Sequence, residues 1–231
     1  MFEISPTEWT AILLSLRVAI IATLVATPFG IALAWLLARY DFWGKSILDA
    51  AIHLPLVLPP VVTGYLLLLA LGRRGFLGAW LADHLGIVFA FRWTGAALAC
   101  GVMSFPLLVR PIRLSLEAID RRLEQAASTL GAAPWKVFAT VTLPLALPGI
   151  LAGMVLGFAK AIGEFGATIT FVSNIPGETQ TISSAIYSLI QTPDGDTAAL
   201  RLVIVSIVIA MGALIASEFF ARRATQRLHG N

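Results

Sequence analysis

Gly44-Lys45-Ser46 ends as a phosphate-binding loop ends, but the first glycine of such a loop would fall where Arg39 stands. Without that backbone nest nothing cradles a nucleotide, and any ATP would have to be hydrolysed by a partner. His53, His84 and His229 share no metal-ligand spacing, and Cys100 has no ligand-type neighbour. Cys100 sits in an apolar run, where inert packing is its expected role. His53 lies beside a proline-rich stretch and is open to two readings, lining a cavity or making a packing hydrogen bond. No serine has the setting of a hydrolase elbow. The sequence offers no catalytic residue, no metal site and no cofactor.

Candidate chemistry concentrates between Gly149 and Ser173, where Lys160 and Glu164 are the only charged residues. Four apart on a helix, they share a face and can pair. One reading is a local ion pair that lowers the cost of two charges in a membrane. The other is that they border a polar pathway, since intramembrane ionisable groups face bundle interiors or water. The run Gly163-Glu164-Phe165-Gly166-Ala167-Thr168 favours the pathway. Gly163 and Gly166 would let the backbone bend there, and Phe165 would form a hydrophobic constriction. Gly149, Gly153 and Gly157 recur every fourth residue, a spacing that lets membrane helices approach closely.

Composition assigns these residues to a membrane. Of 231 residues, 58% are hydrophobic and 13% charged, about half the charged share of a soluble domain; the mean hydropathy is +0.87. Several apolar runs reach the roughly 20 residues a spanning helix needs. Irregular backbone cannot face lipid, so an all-α integral membrane fold with lipids as its surroundings follows. The net charge of +3 gives no reason to expect nucleic acid. One cysteine excludes an internal disulfide. Residues 1–10 hold Glu3 and Glu8 but no Lys or Arg, so no cleavable signal peptide is expected.

Five spans are expected, at about 12–37, 47–71, 93–109, 137–161 and 202–220, in one domain covering 1–231. The first should be interrupted near Thr27-Pro28-Phe29-Gly30, with Arg17 snorkelling to the interface. Pro55, Pro59 and Pro60 must kink or break the second, and Pro148 is a candidate bend in the fourth. The stretches 72–92 and 173–200 read as connectors, and 165–172 is too short to cross alone.

Between the third and fourth spans lies the longest polar passage, 121–144. Leu116, Ile119, Leu123, Ala126, Ala127 and Leu130 fall at helical spacing and form one apolar stripe. Arg121, Arg122, Glu124, Gln125 and Ser128 lie on the other side. Gly131 should end that helix in the left-handed region, and Pro134 suits the first turn of the next. A helix–turn–helix at about 116–136 is expected at the membrane surface, either anchoring a loop or docking a partner. With the N-terminus outside, most basic residues (Arg39, Lys45, Arg110, Arg113, Arg121, Arg122, Lys136, Arg222, Arg223 and Arg227) fall inside. Only Arg73, Arg74 and Arg92 fall outside before the last span. The positive-inside rule then expects this loop and the C-terminus in the cytoplasm.

Gln125-Ala126-Ala127, Gly131 and Val141-x-Leu143-Pro144 resemble the EAA loop of ABC importer permeases, which in that family docks into a groove on a cytoplasmic ATPase. Gln125 stands where the family usually has Glu, and Val141 where it usually has Ile. Glu124 lies one place early and is not assigned the family glutamate's role. Gly163-Glu164-Phe165-Gly166-Ala167 is similar to the segment after that loop in permeases for molybdate, tungstate and sulfate/thiosulfate. The runs His53 to Gly64 and Ser173 to Thr179 resemble the molybdate members. The likeness covers almost the whole chain. It implies a permease fold of five transmembrane helices, with a coupling loop containing Glu124, Gln125, Ala126, Ala127, Gly131 and Pro144. It implies a pathway bordered by Lys160, Gly163, Glu164, Phe165, Gly166 and Thr168, with helix bends at Pro55, Pro59, Pro60 and Pro148. It further implies a homodimer in a bacterial inner membrane, served by ABC ATPase subunits and a periplasmic or extracellular oxyanion-binding protein. Such a subunit is no enzyme. Molybdate is the expected cargo, with sulfate, thiosulfate or tungstate as alternatives. A secondary transporter without an ATPase is a different class, against which the polar loop argues.

Overall fold

The computed structural model describes residues 4–229, with side chains at 217, 218 and 220–229 outside the description. The basic residues Arg222, Arg223 and Arg227 therefore lie outside the described side chains. Every regular element among the described residues is helical. The order is α1 (Pro6–Arg39), α2 (Lys45–Val57), α3 (Pro60–Leu71), α4 (Phe76–Leu85), α5 (Trp93–Ala118), α6 (Arg121–Thr129) and α7 (Pro134–Val137). A π-helical turn (Phe138–Thr142) then leads into α8 (Leu143–Ile162), α9 (Gly166–Val172), α10 (Ile182–Leu189) and α11 (Asp196–His229).

Among the described residues, four helical stretches are long and apolar enough to cross a bilayer: Pro6–Arg39, Trp93–Ala118, Pro134–Ile162 and Asp196–Ala216. The pair α2 and α3, bent by 115°, supplies a fifth if it counts as one span. The cause of that bend is local. Pro59 follows Leu58, and Pro60 follows Pro59; a residue before proline is pushed out of the helical region. Leu58 is accordingly extended (φ −72°, ψ 144°), and Pro59 has ψ 134°. Pro55 sits inside α2 and Pro148 inside α8, so the break belongs to the proline pair.

The expected interruption at Thr27-Pro28-Phe29-Gly30 is absent: α1 runs unbroken through Pro28. The expected third span, α5, continues past residue 109 to Ala118, through both Pro106 and Pro111. The connectors hold helices of their own, α4 and α10. α1 starts on a capping box, Ser5 with Glu8, and the Glu8 carboxylate also accepts from Arg201 of α11 at 2.9 Å. The Ser15 hydroxyl accepts from the Ile182 N–H at 2.7 Å, satisfying a first-turn donor of α10 that has no partner within its own helix.

α5 packs extensively against both α1 and α8, which also touch each other. Small residues make this possible. A Cβ on Gly149 would meet Ser115 Cβ at 2.3 Å, and one on Gly153 would meet the Leu108 carbonyl oxygen at 2.5 Å. On the outside of the bundle, α11 presents Ile207, Val208, Met211 and Ile215 as exposed apolar surface, suited to lipid tails.

Gly153→Val should destabilise the detergent-solubilised protein by about 1–3 kcal/mol, the usual cost of overpacking. Gly212→Val, where a Cβ meets nothing within 4 Å, should leave the melting temperature near wild type. Equal melting curves for the two variants would overturn the close α5–α8 contact.

Candidate functional site

The polar passage begins where α5 stops. Asp120 caps α6, its carboxylate accepting from the Arg122 N–H at 2.9 Å. That break splits the expected apolar stripe. Leu116 and Ile119 are buried in the bundle, whereas on α6 Leu123 is 50% and Leu130 89% exposed. The stripe is therefore not one continuous face; its second half is turned outward. Gly131 adopts φ +84°, as a left-handed turn requires, and Pro134 opens α7. Trp135 follows, 68% exposed. Ala126 and Gln125 are exposed and Ala127 half-buried.

Glu124 points the other way. Its Oε1 accepts from Arg39 Nη2 at 2.9 Å and from Thr142 Oγ1 at 2.6 Å. Arg39 is the last residue of α1, and its side chain is only 9% exposed. One carboxylate thus ties α6 to the end of α1 and to the π-turn at the root of α8. Arg121 adds a 3.5 Å bond to the Ala38 carbonyl. Between α6 and these anchors lies a cavity of about 520 Å3, walled by Trp35, Tyr40, Gln125 and Phe138 among others.

The π-turn has a physical origin. Pro144 has no N–H for the Thr140 carbonyl and crowds it. The ladder shifts instead: the Leu143 N–H reaches back five residues to the Phe138 carbonyl. α7, the turn and α8 still form one helix, Pro134–Ile162, so the loop runs stiffly into the bundle.

At the far end of that helix the chain breaks over Gly163, Glu164 and Phe165. Lys160 Nζ donates to Glu164 Oε2 at 2.6 Å, and Glu164 Oε1 takes the Ala167 N–H at 3.0 Å. The Glu164 side chain is 1% exposed. It therefore closes an ion pair and caps α9 together. The bend itself does not need a glycine, since Gly163 has an ordinary φ of −86°. Gly166 serves packing, because a Cβ there would lie 2.7 Å from Pro60 Cβ. One on Gly64 of α3 would lie 2.5 Å from the Ala167 carbonyl oxygen. The two broken pieces, α3 and α9, thus pack on each other. Thr168 is buried and bonds back to the Phe165 carbonyl at 2.9 Å. The Phe165 ring meets Tyr187 of α10, with centroids 5.0 Å apart.

Lys160, Glu164, Phe165, Gly166 and Thr168 come together at one break, and the loop residues at one end of the bundle; these two groups sit at opposite ends of the Pro134–Ile162 helix. His53 Nδ1 lies 2.8 Å from the Asp49 carbonyl of its own helix, the packing alternative of its two readings. No group of three His, Cys, Asp or Glu among the described residues could hold a metal ion. The sequence reading missed Arg39 and Thr142 as partners of Glu124. Their separations of 85 and 18 residues leave no periodic signal.

Residues 26–226 match the family described as binding-protein-dependent transport system inner membrane component. The molybdenum transport system permease protein ModB of Escherichia coli K12 is 63% identical over 95% of this chain and 96% of that protein. The ModB of Haemophilus influenzae is 58% identical over 96% of each. The sulfate transport system permease protein CysT of Escherichia coli K12 is 36% identical, covering 91% of this chain and 75% of that one. Among solved structures, a bacterial ABC transporter that imports the polysaccharide alginate superposes with a TM-score of 0.75 at 19% identity. That superposition covers 96% of this chain and 81% of the other. The MetNI methionine ABC transporter gives 0.65 at 14%, covering 96% and 100%; both are likenesses of fold.

Glu124→Ala should leave the Arg39 side chain, only 9% exposed, without its carboxylate, a loss of about 1–3 kcal/mol. Amide hydrogen exchange across 121–130 should then quicken by roughly tenfold. Gln125→Ala, next to it but facing out, should leave exchange unchanged. Equal protection in wild type and Glu124→Ala would refute the anchoring role.

Proposed function

The chain belongs to the family of binding-protein-dependent transport system inner membrane components, and from that membership we propose that it is the membrane subunit of an ATP-driven molybdate importer. The cargo rests on the 63% identity to a molybdenum permease, well above the 36% to a sulfate permease. In this reading two copies form a homodimer that holds the pathway. An ABC ATPase docks on the cytoplasmic side, and a periplasmic or extracellular oxyanion-binding protein delivers the anion. The positive-inside count supports an N-terminus outside and the α6–α7 loop in the cytoplasm. All of 1–231 acts as one permease domain.

The observation that carries the mechanism is the loop's two-sidedness. Outward it offers Leu123, Leu130 and Trp135 as exposed apolar surface, a patch that calls for a partner. Inward it is bolted through Glu124 to α1 and the π-turn. ATP-driven closure of the ATPase pair would move the loop, and the stiff Pro134–Ile162 helix would carry that movement to the break at Glu164. There α9, gripped by the Glu164 carboxylate and packed on α3, shifts with it. The bends at Pro59-Pro60 and at 163–165 become the joints of alternating access. Phe165 is the gate, with Lys160, Glu164, Gly163, Gly166 and Thr168 bordering the path. Pro55, Pro144 and Pro148 adjust helices without breaking them.

Leu123→Asp with Leu130→Asp should insert normally but fail to co-purify the ATPase; full co-purification would count against docking at this face. Phe165→Ala should uncouple ATP hydrolysis from uptake or leak anions, and wild-type coupling would remove Phe165 from the gate. Reconstitution with the cognate ATPase and binding protein tests the cargo. Molybdate uptake should resist a tenfold excess of sulfate, and preferred sulfate uptake would transfer the assignment to a sulfate importer.

A further inference from the structure

At the end of the bundle away from the loop, a cavity of about 600 Å3 opens among three arginines. Arg17 comes from α1, Arg73 from the α3–α4 turn and Arg92 from just before α5, with Glu178 the one acidic residue in the lining. Arg17 and Arg39 are about 33 Å apart along α1 by its rise per residue, close to one hydrocarbon thickness. The cavity and the loop therefore lie at opposite membrane surfaces. Arg17 is held by its flat face, its guanidinium 3.7 Å over the Trp93 ring. Stacking of that kind leaves the N–H edge free for an acceptor. Among the described residues no hydrogen bond or ion pair reaches any of the three guanidinium groups. Arg74 has the same charge and exposure but does not line the cavity.

Three like charges converging from separate elements repel one another unless an anion joins them, and guanidinium edges match the oxygens of a tetrahedral oxyanion. We propose that this cavity is an anion-receiving vestibule in which Arg17, Arg73 and Arg92 bind a tetrahedral oxyanion group. The group belongs either to the free anion outside or to the phosphate of a phospholipid. The inference rests on the orientation and oxyanion cargo proposed above. A concave pocket suits a small anion better than the flat acidic surface of a protein. The focused positive field would gather cargo at the mouth of the pathway, and exposed charge pairs would hold it only weakly.

The full chain in dodecyl maltoside micelles, which carry no phosphate, dialysed to equilibrium against molybdate and separately sulfate, tests this. Wild type should bind saturably. Arg17→Gln, Arg73→Gln and Arg92→Gln should each weaken binding by about three- to fivefold, in line with exposed charge pairs, while Arg74→Gln binds as wild type. Adding phosphatidylglycerol to the micelles separates the sources. Lost molybdate binding assigns the site to lipid phosphate, and unchanged binding assigns it to the free anion. No saturable binding, or equal weakening by Arg74→Gln, overturns the vestibule. Uptake by the assembled transporter is read independently, so a wrong cargo and an absent vestibule give different results.

Discussion

Inside a bilayer no water is at hand for a broken helix, so each break must supply its own hydrogen-bond partners. Two breaks among the described residues, at Leu58–Pro60 and at 163–165, meet that demand by opposite means. At Leu58–Pro60 the prolines remove donors: neither Pro59 nor Pro60 has an N–H, and the Pro59 carbonyl accepts from Val62 at 2.9 Å. At 163–165 a side chain fills the gap, Glu164 taking the Ala167 N–H. A carboxylate with 1% of its side chain exposed would be costly alone, and Lys160 on the preceding turn offsets that cost. Loss of either partner would strand a charge, which makes the pair a unit. The two breaks then face each other, because Gly64 and Gly166 let α3 and α9 approach to backbone contact.

The same economy appears at the loop. A polar helix with an outward apolar face has nothing of its own to hold it against the bundle, yet Glu124 fixes it to two elements with one oxygen. The fixing matters because what lies beyond it is stiff. The Pro134–Ile162 helix is about 43 Å long at the usual rise, and Gly149 and Gly153 press it against α5. Its π-turn is the point where the ladder is least regular, beside Thr142, where the loop is anchored. In the proposed mechanism a push on the loop has few places to dissipate before it reaches Glu164.

Much of this was legible in the sequence, and the reasons differ by feature. The apolar runs, Gly131, Pro134 and the Lys160–Glu164 pair follow from local rules of length, turn chemistry and helical spacing. The resemblance to ABC importer permeases agrees with the family match across 26–226. What failed was local reasoning carried too far. Pro28 promised an interruption, but a proline costs one hydrogen bond, and a helix packed along its length absorbs that. The stripe from Leu116 to Leu130 kept helical spacing across Asp120, although Asp120 is a cap that ends one helix and starts another. Spacing alone cannot detect a change of axis. Arg39 and Thr142 were invisible because a tertiary hydrogen bond leaves no mark on either local sequence.

The distribution of charge bears on what the membrane region can do. Its two ionisable groups at the fourth-span break neutralise each other, whereas Arg17, Arg73 and Arg92, which have no ion pair among the described residues, line a cavity at one surface. An importer supplied by a binding protein must release its cargo as readily as it accepts it, and conduction needs sites weak enough to leave. A lone buried arginine would hold a divalent oxyanion against release. A paired lysine cannot, and exposed arginines beside water hold it only loosely. In the proposed mechanism selectivity is then best delegated to the protein that delivers the anion, with this chain supplying an opening timed by the loop.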